Sequence, residues 1–248
     1  MNHLVKTIQE NLAKVQEQVS VAAQSAGRRS EEVKIVVVTK GQPLETIQAA
    51  IFAGAKILGE NYPEEAYSKM MRLERHEEIE WHMIGHLQTR KAKIVVENFD
   101  FMHSLDSIRL AEKLNRLCEE KGRKLPVLLE CNVGGEESKG GWMAHEERLW
   151  SDLLPVVETC LGFNNLEIHG LMAMPPWDEN PEHTRPYFVM LKKLQDFLSR
   201  NFPSVDFSEL SMGTSVDFNV AVQEGATYVR IGEAIVGSRQ KNLSNLSA

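Results

Sequence analysis

One pattern constrains this chain more than any other. Short, β-branched, nearly continuous apolar runs alternate eight times with stretches whose apolar residues recur every three or four positions. The first run, Val33-Lys34-Ile35-Val36-Val37-Val38-Thr39, has the composition of a parallel strand covered on both faces. Similar runs at 56–58, 80–84, 101–104, 127–133, 166–172, 206–211 and 227–231 are predicted strands. The segments between them, at 44–51, 62–75, 87–97, 108–120, 143–160, 181–200 and 216–224, carry helical spacing. A further helix is predicted over 1–27, where Leu4, Ile8, Leu12, Val15, Val19 and Ala22 form one apolar stripe and Gly27 is placed to cap it.

Strands linked by helices give a parallel sheet. Eight such units in 248 residues predict an α/β protein, a single-domain (β/α)8 TIM barrel with an extra N-terminal helix, spanning 1–248 with a polar, frayed tail over 240–248. The competing architecture is an open doubly wound sheet. It lacks its usual glycine fingerprint here, since Val38-Thr39-Lys40-Gly41-Gln42-Pro43 holds one glycine.

Composition narrows the function. Hydrophobic residues make up 42% and charged residues 25%, which excludes a disordered chain or a fibrous one. A net charge of -7 argues against nucleic acid as a partner held by overall charge. No apolar stretch is long enough for a membrane helix, so no membrane partner is expected. Residues 1–6 lack a basic region followed by an apolar one, so no signal peptide is expected. The three cysteines, Cys118, Cys131 and Cys160, fit no zinc or redox spacing and predict reduced, structural thiols in a cytoplasmic protein. His145, His169 and His183 show no metal-ligand spacing, and no metal is expected. The run 72–78 predicts a solvated helix end or loop, the four tryptophans predict packing or loop anchors, and Met172, Met174 and Met212 are placed to line the barrel mouth.

In a barrel of this kind the chemistry lies at the C-terminal ends of the strands. Lys40 follows a strongly apolar strand and is carried toward a dry mouth, where desolvation would make its amine nucleophilic. A lysine that extends its amine to water at the rim satisfies the same pattern. Two late loops, Ser211-Met212-Gly213-Thr214-Ser215 and Arg230-Ile231-Gly232-Glu233-Ala234, each follow a strand and open a helix. Such turns suit a phosphate, although ordinary capped turns read alike. A reactive lysine together with a phosphate cradle describes pyridoxal 5'-phosphate (PLP).

The motifs carry a resemblance. Val37-Val38-Thr39-Lys40 with Pro43, Gly59-Glu60-Asn61-Tyr62, Trp81-His82-Met83-Ile84-Gly85-His86-Leu87-Gln88 with Lys91, and His103-Ser104-Leu105-Asp106 occur in order. They are followed by Ser138-Lys139-Gly140, Gly170-Leu171-Met172-Ala173-Met174, Leu210-Ser211-Met212-Gly213 with Ser215, and Val229-Arg230-Ile231-Gly232. The chain resembles the pyridoxal phosphate homeostasis proteins, single-domain relatives of the alanine racemase barrel (PLP fold type III). That resemblance implies PLP held as an internal aldimine on Lys40. It implies a phosphate held by Ser215 and by backbone amides around Gly232 and Glu233, with Met212 and Gly213 nearby. It sets Arg230 at the ring nitrogen, Asn61 beside the ring, and His82 under the site, while Asn61 and His82 can equally well serve loop backbone groups. A guanidinium accepts no proton, so it would keep the ring nitrogen neutral.

Gly41, His86, Thr214, Val216-Asp217 and Glu233 depart from the residues usual in that family. An acidic Glu233 would repel a phosphate dianion unless its carboxylate points away. The resemblance implies a non-catalytic PLP carrier that maintains vitamin B6 homeostasis, a monomer, with apo PLP-dependent enzymes as recipients. The alternative is an amino-acid racemase, which needs an acid/base group on each face of the substrate carbon. Of Tyr62, Tyr67, Tyr187 and Tyr228, only Tyr62 is expected near the mouth. A third possibility is a barrel for another phosphorylated metabolite.

Overall fold

The computed structural model describes residues 2–73, 78–136 and 139–238. Ser138, the end of the helix predicted over 62–75, the middle of the charged run 72–78 and the tail 240–248 lie outside the described residues.

Parallel strands β1 (Lys34–Val38), β2 (Ile57–Glu60), β3 (Glu80–Met83), β4 (Phe101–Leu105), β5 (Leu125–Asn132), β7 (Leu166–Met172), β8 (Glu209–Ser211) and β9 (Tyr228–Ile231) pair in sequence order. The β1–β9 and β4–β5 ladders close the ring. This is the eight-stranded barrel, and the open sheet is excluded by those two ladders. The short strand β6 (Trp142–Met143) adds to β5 at Cys131 and Asn132, beyond the last residues that β5 pairs with β4 and β7. Between the strands run α2 (Leu44–Phe52), α3 (Pro63–Met70), α4 (Ala92–Asn98), α5 (Ile108–Lys121), α6 (Trp150–Leu161), α7 (Arg185–Asn201) and α8 (Phe218–Gln223). The short α9 (Glu233–Val236) follows β9.

The leading helix α1 (Asn2–Ser25) buries Ile8, Leu12, Val15, Val19, Ala22 and Ala23 on one stripe. Gly27 ends it at φ +69, with the Arg28 amide returning to Ala23. The stripe packs on α2, α8 and α9, so α1 covers the seam where the first and last units meet. Full burial of each large aliphatic side chain contributes about 1.5–3 kcal/mol, which holds that seam shut.

Several boundaries move for local reasons. The strand predicted over 206–211 is shorter, because the Ser208 amide donates to the Asp206 side chain and turns the chain before Glu209. The helix predicted over 143–160 starts at Trp150, after β6 and a 3-10 turn at Glu147–Leu149. The one predicted over 87–97 starts at Ala92, after a 3-10 turn at Thr89–Lys91. In β7 the register against β5 slips by one residue at His169. Gly170 permits that bulge: at φ +154, a Cβ there would lie 1.8 Å from the Glu209 carbonyl oxygen.

Alternation sets the barrel interior. Glu80 and His82, Phe101 and His103, Leu128 and Glu130, Glu209 and Ser211, and Tyr228 and Arg230 are each two apart on their strands. Their neighbours, such as Leu129, Leu210, Val229 and Ile231, join the outer core under the helices.

Candidate functional site

A cavity of about 730 Å³ opens at the C-terminal end of the barrel. Lys40, Asn61, Ser215, Arg230, Gly232 and Glu233 are in its wall, six residues drawn from the turns after β1, β2, β8 and β9 and from β9 itself. His82, Met212 and Gly213 are not in the wall. His82 is buried inside the barrel below it. The Met212 amide donates to the Tyr228 carbonyl and the Gly213 carbonyl accepts from Arg230, so both residues extend the β8–β9 ladder. Gly213 is also a packing requirement. At φ +92, a Cβ there would lie 2.6 Å from Ala221 Cβ, so α8 could not sit against the turn.

Lys40 is half-buried, and both of its neighbours are tied down. Thr39 Oγ1 donates to Glu60 Oε1 at 2.8 Å, and its carbonyl accepts from Lys69 Nζ at 3.1 Å. The Gly41 amide donates to Glu65 Oε1 at 2.8 Å. Lys69 bridges the two carboxylates, 2.9 Å from Glu60 and 2.6 Å from Glu65. Glu60 is wholly buried, and desolvation raises its pKa against the opposing pull of Lys69. The backbone on either side of Lys40 is thereby fixed by a buried ion pair on β2 and α3.

Arg230 is buried from the other side. It donates to Ser211 Oγ, to the Ala173 carbonyl at 2.9 Å and to Met174 Sδ at 2.8 Å. Desolvation lowers its pKa to about 10, opposed by the charges of Asp217 and Glu130, so it stays a cation at neutral pH. Asp217 also organises the β8 turn. It accepts from the Thr214 amide at 2.7 Å and from Thr214 Oγ1 at 3.0 Å. Thr214 is therefore engaged by its own loop, and Ser215 beside it also lines the cavity. Glu233 is exposed, where water screens its carboxylate.

Several wall residues were not expected. Glu130 is held above the ordinary carboxylate range, first by burial and then by the charge of Asp106. His86, largely exposed at the rim, contacts Asp106 at 2.7 Å. Trp177, 73% exposed, stands in a loop at the opening rather than in the packed core. Met172 and Met174 line the mouth, but Met212 does not. Glu130 interrupts the apolar run Val127-Leu128-Leu129, the same signal that singled out Lys40. None of the four tyrosines lies in the wall: Tyr62 points to solvent and Tyr228 is buried low in the barrel. The three cysteines are buried free thiols, and burial pushes that of Cys160 up to about 11.

Two acceptors in the wall, Asn61 Oδ1 and Glu130 Oε2, are buried with no hydrogen-bond partner among the described residues. Leaving such atoms unpaired costs about 1–3 kcal/mol each, so the cavity suits a ligand that brings polar groups.

The family described as "Alanine racemase, N-terminal domain" matches residues 10–240. The pyridoxal phosphate homeostasis protein of Aquifex aeolicus is 39% identical over 231 residues, 93% of this chain and 98% of that protein. The chain belongs to this family. Another member, from Escherichia coli K12, is 35% identical over 239 residues, covering 94% of this chain and 97% of its own. PipY of Synechococcus elongatus, solved without PLP, superposes with a TM-score of 0.82 at 32% identity, covering 93% of this chain and all of PipY. PipY with PLP bound superposes with a TM-score of 0.78. An alanine racemase from Clostridium difficile, at 14% identity and a TM-score of 0.69, shares the fold; the match covers 96% of this chain and 57% of the racemase. Among the described residues no helix is long and apolar enough to cross a membrane.

Proposed function

We propose that this chain binds PLP in the cavity at the C-terminal end of the barrel and acts as a carrier and buffer of that cofactor. The observation that carries the reading is the convergence of Lys40, Arg230, Ser215 and the Gly232–Glu233 turn on one cavity. When bound, PLP supplies an aldehyde that condenses reversibly with amines and a ring that stabilises negative charge on the attached carbon. Lys40 supplies the amine, held in place by the clamps on Thr39 and Gly41. Ser215 and the backbone N–H groups around Gly232 and Glu233 hold the phosphate. Arg230 would donate to the ring nitrogen and bring it no proton, which would keep the ring a weak electron sink. Asn61 would lie beside the ring, with the barrel interior that holds His82 beneath it.

That PipY has been solved both with and without PLP supports a site that loads and unloads. The position of the four tyrosines outside the wall favours a carrier over a racemase. The receiving partners would be apo PLP-dependent enzymes, in the cytoplasm, with the carrier a monomer; transfer across a dialysis membrane distinguishes release from contact.

The decisive experiment adds PLP to the ligand-free protein, reduces with borohydride and maps the modified peptide by mass. The protein should turn yellow and carry the label on Lys40, and Lys40→Ala should abolish it. A colourless, unlabelled protein overturns the reading in favour of another phosphorylated ligand. Steady conversion of L-alanine or L-serine to the D-isomer would overturn the carrier role in favour of racemisation.

A further inference from the structure

Below the cavity a chain of hydrogen bonds crosses the barrel interior. Arg230 Nη1 meets Ser211 Oγ. Ser211 Oγ meets His103 Nδ1 at 2.7 Å. His103 Nε2 meets His82 Nδ1 at 2.8 Å. His82 Nε2 meets Glu80 Oε2 at 3.2 Å. His82, His103 and Ser211 have no exposed surface, whereas the Glu80 side chain is 60% exposed. Glu80 opens β3 and so sits at the mouth opposite the cavity.

The ends of this chain are chemically unequal. A guanidinium only donates, and an ionised carboxylate only accepts. Ser211 Oγ has two lone pairs, so it can accept from Arg230 and still either donate to His103 or accept from it. The arginine end therefore allows both directions. The glutamate end allows one: with His82 neutral, its Nε2 must carry the proton and its Nδ1 must accept. His103 then protonates Nε2 and accepts at Nδ1, and the Ser211 proton goes to His103. In the reverse direction the Ser211 proton has lost His103 as acceptor and must compete for space with the Arg230 N–H.

We infer that Glu80 is a remote positioning residue for the cavity: its carboxylate sets one direction for the His82–His103–Ser211 chain, which sends the Ser211 proton to His103 and leaves the Ser211 lone pairs to Arg230. The groups around the chain agree with neutral imidazoles. Burial first, and then the charges of His82, Arg230 and Lys34, disfavour charge on His103. At His82, burial and Lys34 oppose charge while Glu80 and Asp100 favour it, and burial dominates. The hydrogen bond from His82 holds Glu80 below the usual carboxylate range. Tyr228 and Phe101 pack their rings against both imidazoles, and the Tyr228 hydroxyl is engaged with Lys34 at 3.0 Å. The chain of hydrogen bonds stands whatever fills the cavity; its effect on a bound ring rests on the PLP reading above.

Glu80→Gln keeps the shape but removes the direction, since an amide can donate or accept. Nitrogen-15 NMR of the ligand-free protein at neutral pH should show His82 and His103 each as a single Nε2–H form. Glu80→Gln should add a second set of tautomer signals, and Glu80→Asp should keep one. In PLP titrations Glu80→Gln should bind about three- to tenfold more weakly, the loss of roughly one net hydrogen bond, and shift the absorption band of the bound cofactor. A charged or Nδ1–H imidazole in the parent protein overturns the inference. So does a single tautomer set in Glu80→Gln, or a Glu80→Asp variant perturbed as strongly as Glu80→Gln. New tautomers with unchanged PLP affinity and band overturn the link to Arg230. A parent protein that binds no PLP defeats the reading of the cavity, while the NMR result still decides the direction of the chain.

Discussion

Two networks lie beneath Lys40 and Arg230 in the cavity wall, and they work on different principles. Beneath Lys40, Glu60, Lys69 and Glu65 form a charged cluster that clamps backbone on either side of the lysine. Beneath Arg230, Ser211, His103 and His82 form a neutral series that holds the guanidinium itself. The charged cluster is incomplete, for Glu60 Oε2 has no partner among the described residues. The neutral series satisfies each of its members. The first network clamps the backbone on either side of Lys40, whereas side-chain bonds keep Arg230 in one place.

The largest expected effect is at the charged cluster. Lys69→Met strands Glu60 in the interior and should cost about 3–5 kcal/mol in denaturant unfolding. A cost below about 1 kcal/mol would mean that the pair contributes nothing beyond its own desolvation. Ser211→Ala leaves a buried Arg230 N–H and His103 Nδ1 without partners and should cost about 3 kcal/mol, most of it restored in Ser211→Thr. If alanine and threonine behave alike, the hydroxyl is not the link.

Acid should separate the two networks by sign. The folded pKa of His82 and His103 lies below the unfolded value, so their contribution is full above about pH 6.5 and is lost as pH falls. Each imidazole that stays neutral should cost roughly 1.4 kcal/mol per pH unit below that point. Glu60 runs the other way. Its folded pKa is raised, so its contribution is lost as pH rises through that pKa and regained on acidification toward the unfolded value. Melting curves between pH 7 and 5 should therefore fall more steeply in Glu60→Gln than in the parent, and less steeply in His103→Leu. Equal slopes in all three would show that neither network titrates differently on folding. Smallest is a control at the surface: Lys91 pairs with Glu64 at 2.7 Å, and Lys91→Ala should cost under about 1 kcal/mol and fade in salt.

The barrel was legible because eight apolar runs leave few ways to bury themselves, and the place of Lys40 because the end of such a run is carried to the barrel mouth, whether its amine then turns inward or to water at the rim. Glu130 obeys the same logic and was overlooked because one carboxylate among Leu129 and Cys131 reads as an edge rather than a wall. The neutral series was not legible. His82, His103 and Ser211 come from three strands, and only closure of the ring makes them neighbours. β6 is two residues long, too short to show any period, and the Asp206 turn that trims β8 depends on one side-chain bond. Thr214 looked like a substitution at a phosphate contact, and only the contacts of Asp217 show that its own loop engages it.

The placement of α1 has a consequence for biosynthesis. Its apolar stripe is made well before α8 and α9, on which it partly docks and which follow roughly 200 residues later. At typical elongation rates that is a wait of about 10–40 s. Throughout that interval a sticky amphipathic segment is without its final berth, which makes the nascent chain a natural client for a holding chaperone.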